Sequence, residues 1–195
     1  MPTPLHYASL DDVARQLKAR QLSSVDLTRT LLDRIGRLDP RLGSFATLTP
    51  ERALADAAAR DAESAAGRSR GPLHGVPIAV KDLCNTAGIP TAAGMLIHRK
   101  TVPTEDATVV SRLKDQGAVI LGKLQMTEGA FGAHHPSIAA PLNPWNDAYW
   151  TGSSSSGSGA ATASSRARRP SSSRSCGLVG RPMRLPATPL PIVAA

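Results

Sequence analysis

Two short stretches carry residue types that could do covalent chemistry together. Lys81 ends the aliphatic run Val76-Pro77-Ile78-Ala79-Val80. A lysine held against such a wall loses hydration, which pulls its pKa toward neutrality and frees its amine to act as a base. The second stretch is "TGSSSSGSGAA", Thr151–Ala161. A run of serine and glycine is either a solvated linker, because neither residue buries enough surface to offset its ordering entropy, or a loop that presents hydroxyls on tight backbone. A lysine base beside such a loop would activate a serine hydroxyl for nucleophilic attack. Taken alone, Lys81 has a second reading: the chain leaves the sheet at Lys81-Asp82 and the two side chains pair in solvent.

Other candidates fall away on their residue types. "GAVILGKL", Gly117–Leu124, has the spacing of a phosphate-binding loop, but Leu124 stands where a Ser or Thr would ligate magnesium. Its interior, Val119, Ile120 and Leu121, calls for burial rather than an open cradle. His134 and His135 are adjacent, so on extended chain they face opposite ways, and no metal site is expected there. His74, between Leu73 and Gly75, reads as a turn residue, and Cys84 as a packed thiol.

The elements that must position Lys81 and the serines follow from periodicity. Ser9 caps a first helix with Val13 and Leu17 on its inner face, and Ser23 or Ser24 opens a second, with Leu27, Leu31, Ile35 and Leu38 on one side. Asp39-Pro40 is expected to end it. "SFATLT" reads as a short extended piece, and Thr49-Pro50 opens a third helix that Gly67 closes. "VPIAVKD" reads as a strand, with Pro77 at its start or on a sheet edge. "DATVVSRLKDQGAVILGK" reads as a helix with Val109, Val110 and Leu113 inward, a glycine stop, and a buried strand over Val119–Leu121. The alternation implies an α/β sheet with helices on both sides.

The formal net charge of +8 raises the question of nucleic acid. All 15 acidic residues lie at or before Asp147, and the arginines 166, 168, 169, 174, 181 and 184 follow it, so the first 147 residues carry only +2. The body has no basic patch with interleaved aromatics, and no nucleic-acid partner is expected. Two cysteines make no disulfide framework, and no apolar run reaches the ~18 residues of a membrane span, so a cytoplasmic protein without a membrane partner is expected. From Ser164 onward there is no acid, no lysine and no sustained periodicity, and five prolines. Residues 1–163 are therefore read as one domain, and residues 164–195 as a Ser/Arg/Pro-rich tail that is disordered or read out of frame.

Taken in order, "GPLHGVPIAVKD", "DATVVSRLKDQGAVILGKLQMTEGAF" and "NPWNDAYWTGSSSSGSGAATA" resemble the amidase signature family over roughly residues 5–163. The resemblance implies the N-terminal part of that family's α/β fold, a mixed β-sheet flanked by helices, incomplete in this chain. It also implies hydrolysis of the carbon–nitrogen bond of a small-molecule carboxamide through a Ser, cis-Ser, Lys triad and an acyl-enzyme, with no metal or organic cofactor. On that match Lys81 is the base, Ser154 the relay serine and Ser155 its hydrogen-bonding support, while Met126 and Thr127 lie by the substrate pocket.

The nucleophile is unassigned. The family's Thr-Asp-x-Gly-Gly-Ser segment does not occur, and in "GRPMRLPA", which echoes its surroundings, Pro182 takes the serine's place. An active amidase is one reading; a catalytically inactive, truncated fragment or partner-binding module is the alternative. Oligomeric state and the identity of the amide stay open.

Overall fold

The computed structural model describes residues 5–152 and 155–164. Helix α1, Leu10–Lys18, begins where Ser9 accepts a hydrogen bond from the Asp12 amide, and it buries Val13 and Leu17. Helix α2, Ser24–Leu42, begins at Ser23 in the same way, with Ser23 accepting from the Asp26 amide. Asp61 adds a second cap, its carboxylate accepting from the amides of Ser24 and Val25. Strand β1 is Phe45–Leu48, helix α3 Pro50–Ala65, strand β2 Pro77–Lys81, helix α4 Thr108–Asp115, strand β3 Val119–Leu124 and helix α5 Ser156–Ser164.

Two sequence expectations need correction. Asp39-Pro40 does not end α2, which continues to Leu42 and stops at Gly43 in the left-handed conformation, φ 61°. Pro40 sits in the last turn, where its ring removes one intrahelical N–H bond without ending the helix, and the Asp39 carboxylate meets the amides of Ser44 and Phe45 just beyond the helix end. Val109 does not face inward either. It is exposed, because the buried stripe of this eight-residue helix is centred on Val110, with Leu113 partly buried beside it.

The sheet order is β1-β3-β2, with β1 antiparallel and β2 parallel to the central β3. Pro77 does open β2, which lies at one side of this sheet. Strand β3 is buried along its whole length and runs three residues further than the apolar triplet suggested. Val13, Leu17, Leu27, Leu31, Ala53 and Ala57 pack with Ile78, Val80 and Leu121 in the main core. Alternation along β2 turns Ala79 to the opposite face, where it meets Leu124 and Ala161 of α5. Helices thus cover both faces, and no helix among the described residues is long and apolar enough to cross a membrane.

Candidate functional site

Lys81 is the last residue of β2, half-buried, and pairs in register with Leu124 at the end of β3. It shares the face of Ala79, the side of the sheet on which α5 lies. The following amide, Asp82 N–H, donates to the Leu124 carbonyl at 3.0 Å and carries the pairing one residue beyond the strand.

The serine run arrives at the same place. Ser155 is half-buried, and its carbonyl accepts from the Gly159 amide at 3.0 Å in the first turn of α5. Gly157 N–H donates to the Gln125 carbonyl at 2.9 Å, and Gln125 N–H to the Ser44 carbonyl at 2.8 Å. A Cβ on Gly157 would stand 2.2 Å from the Ser44 oxygen and 2.5 Å from the Gln125 nitrogen, so only glycine admits this approach. Leu124, across from Lys81, and Gln125, against Gly157, are consecutive residues. The strand end that carries the lysine and the helix start that carries the serines therefore converge on one point, at the carboxyl ends of parallel strands where open α/β sheets characteristically bind ligands. Ser154 lies outside the described residues.

Met126 and Thr127 follow Gln125 directly, and both are fully buried. The Met126 amide donates to Gln125 Oε1 at 3.3 Å, and the Thr127 hydroxyl is buried without a hydrogen-bond partner among the described residues. Beside them opens a cavity of about 360 Å³ whose walls include Asp82, Ala92, Gly94, Arg99, Gln125 and Ser137.

Asp82 does not pair with Lys81 in solvent. It is buried, and its ion partner is Lys123, Nζ to Oδ1 at 3.6 Å. Lys123 Nζ also donates to the Cys84 carbonyl and to Thr91 Oγ1, each at 2.7 Å, while Asp82 Oδ2 accepts from the Ala92 amide at 3.1 Å. Burial pushes the Lys123 ammonium below its ordinary pKa, against the pull of the Asp82 charge. Burial pushes the Asp82 carboxyl up, against Lys123 and the amides of Ala92 and Gly94. This knot ties the segment after β2 to the core of β3. Sequence reasoning missed it by reading Lys123 only as the last lysine of a failed phosphate loop; the usable signal is one lysine inside an otherwise apolar strand.

A second missed contact joins Ser156 Oγ to His134 Nε2 at 2.9 Å. Ser156 is fully buried, and burial holds the His134 ring below its ordinary pKa. His135 instead accepts at Nδ1 from the Ser137 amide, so the two adjacent histidines have separate partners. His74 is a turn residue, accepting at Nδ1 from the Arg70 amide and donating from Nε2 to the Arg60 carbonyl. Cys84 is half-buried and free of any disulfide. Among the described residues no three His, Cys, Asp or Glu side chains converge as a metal site.

Comparison with known proteins gives this α/β arrangement its class. The Amidase family matches residues 26–168, and the chain belongs to it, corresponding to the N-terminal part of the amidase signature fold. It is 56% identical over 154 residues to "Putative amidase AmiD" of Mycobacterium tuberculosis, covering 79% of this chain and 32% of that protein. It is 48% identical over 161 residues to a glutamyl-tRNA(Gln) amidotransferase subunit of Methylococcus capsulatus, covering 82% and 33%. The native peptide amidase of Stenotrophomonas maltophilia superposes with a TM-score of 0.73 at 38% identity, over 82% of this chain and 35% of the other. The chain therefore spans about a third of the length of these relatives.

Proposed function

We propose that this chain carries the base and relay of an amide hydrolase acting on a small-molecule carboxamide, with Lys81 as the base, Ser154 as the relay and Ser155 as its support. The observation behind this reading is the convergence of Lys81 at the end of β2 with the first turn of α5 on Leu124-Gln125. In its free-amine form Lys81 takes the Ser154 hydroxyl proton, and Ser154 takes that of the attacking serine. The serine oxygen bonds to the amide carbon, the carbon–nitrogen bond breaks, and the proton returns along the same relay to the departing amine. Water then cleaves the acyl ester by the same proton path. The chemistry uses no metal or organic cofactor. Met126 and Thr127 form the wall behind the substrate, and the body, residues 1–163, works in the cytoplasm on neither nucleic acid nor membrane.

The attacking serine and its oxyanion donors are not supplied by these 195 residues, which contain no Thr-Asp-x-Gly-Gly-Ser segment. The purified chain is accordingly expected to release no ammonia from benzamide. A chimaera joining residues 1–163 to the remaining two-thirds of the mycobacterial relative is expected to hydrolyse it, with activity lost in Lys81→Met and in Ser154→Ala. Turnover that persists in Lys81→Met would overturn the assignment.

A further inference from the structure

We propose that His134 is a positioning residue: through its hydrogen bond to Ser156 it fixes the first turn of α5, and with it Ser155, against the strand end that carries Lys81. The inference rests on the reading of Lys81 and the serine run as the reacting groups. It concerns how they are held, a point that reading leaves untouched.

The geometry is a closed circuit. From the end of β3 the chain passes Gln125, Met126 and Thr127, then folds back on itself where the Glu128 amide donates to the Ala133 carbonyl at 2.9 Å. That bond sets His134, the next residue, at a fixed place relative to β3. His134 Nε2 then meets Ser156 Oγ at 2.9 Å, and one residue on, Gly157 N–H returns to the Gln125 carbonyl at 2.9 Å. The bond at Gly157 and the packing of Ala161 on Ala79 and Leu124 seat α5 on the sheet, but leave its first turn a single polar tie, to the Gln125 carbonyl. The bond at Ser156, made to a different segment, adds a second tie from a different direction. Ser155 directly precedes the doubly held pair, so its place relative to Lys81 follows from both attachments.

Burial makes the link selective. Ser156 has no exposed surface, and His134 Nδ1 is also buried, without a hydrogen-bond partner among the described residues. A ring held with one nitrogen unsatisfied is placed at some expense, and the Ser156 hydroxyl is the bond it keeps. The contact spans 22 positions of sequence, so it reports tertiary placement rather than local turn geometry.

The test uses the full 195-residue chain, isotopically labelled, and reads NMR signals rather than turnover. His134→Ala and Ser156→Ala, which break the same bond from its two sides, are each expected to move the backbone amides of Ser155 and Gly157 and the side-chain Cε signal of Lys81. His134→Gln, which can still reach the Ser156 hydroxyl, is expected to return those signals toward their original positions. Relative to the parent chain, the Nε2 nitrogen of His134 should shift on Ser156→Ala, confirming the bond itself. Changes confined to residues 131–138 in His134→Ala, or a His134→Gln chain as displaced as the alanine variant, overturn the proposal. Should His134→Ala fail to fold, Ser156→Ala and His134→Gln decide by the same signals. Failure here leaves the Lys81 turnover test unaffected, and loss of that test leaves the coupling measured here in place.

Discussion

Replacing Lys123 with methionine isolates the buried ion pair beneath the candidate site. The substitution keeps most of the side-chain volume but removes the charge facing Asp82 and the donors to the Cys84 carbonyl and Thr91 Oγ1. Lys123 is wholly buried and Asp82 nearly so, so the carboxylate left behind cannot recover hydration without opening the fold. Breaking a buried pair in this way costs about 3–5 kcal/mol. That is a large share of the roughly 5–15 kcal/mol that holds a domain together. With a urea dependence of ~2 kcal/mol/M, the unfolding midpoint should fall by about 1.5–2.5 M.

The double variant Lys123→Met/Asp82→Asn removes the stranded charge and keeps an oxygen for the Ala92 amide. It should be more stable than Lys123→Met alone, by about 1–3 kcal/mol. The sign of the pH dependence follows from the direction in which burial already pushes Asp82. Without Lys123 the folded carboxyl holds its proton more tightly than the unfolded one, so Lys123→Met should lose stability as pH rises from the acid side. Urea titrations of the parent chain, Lys123→Met, Asp82→Asn and the double variant at several pH values provide the assay. A loss under ~1 kcal/mol for Lys123→Met, or strict additivity in the double variant, would refute the view that the pair is a coupled, desolvated unit.

Gly157→Ala should destabilise by at least ~1–3 kcal/mol, because its Cβ would overlap the Ser44 and Gln125 backbones, and hydrogen exchange should show the first turn of α5 loosened. Ser9→Ala removes the α1 cap and should cost about 0.5–2 kcal/mol in chemical denaturation. His134 titrates below its ordinary value of 6.5 in the folded chain, so the unfolded chain binds more protons between the two pKa values. Its contribution to stability is complete above 6.5 and lost as pH falls through the folded pKa; His134→Gln should flatten that part of a stability–pH curve.

The framework is legible in the sequence where local chemistry and periodicity agree. Ser9, Ser23, Thr49-Pro50 and Gly67 punctuate the helices, and the aliphatic runs before Lys81 and after Gly117 mark two of the three strands among the described residues. Pro40 misleads because its effect depends on where in a helix it falls, and Asp39 supplies acceptors beyond the helix end that no local rule anticipates. The convergence of Lys81 with the serines is legible only through family resemblance. In physical terms it depends on a parallel register between β2 and β3 and on one glycine's approach to Gln125, both non-local. The partners are hidden for the same reason: the lone lysine of an apolar strand flags Lys123, but Asp82 for it and Ser156 for His134 lie on segments that only the finished sheet brings together.

A crystal structure of this chain resolving residues 150–160 would bear most directly on the assignment of base and relay. Lys81 Nζ is expected within hydrogen-bond reach of Ser154 Oγ, about 2.6–3.2 Å, with Ser155 beside it. A Lys81 amine directed into solvent, with Ser154 on the far side of the α5 start, would contradict it.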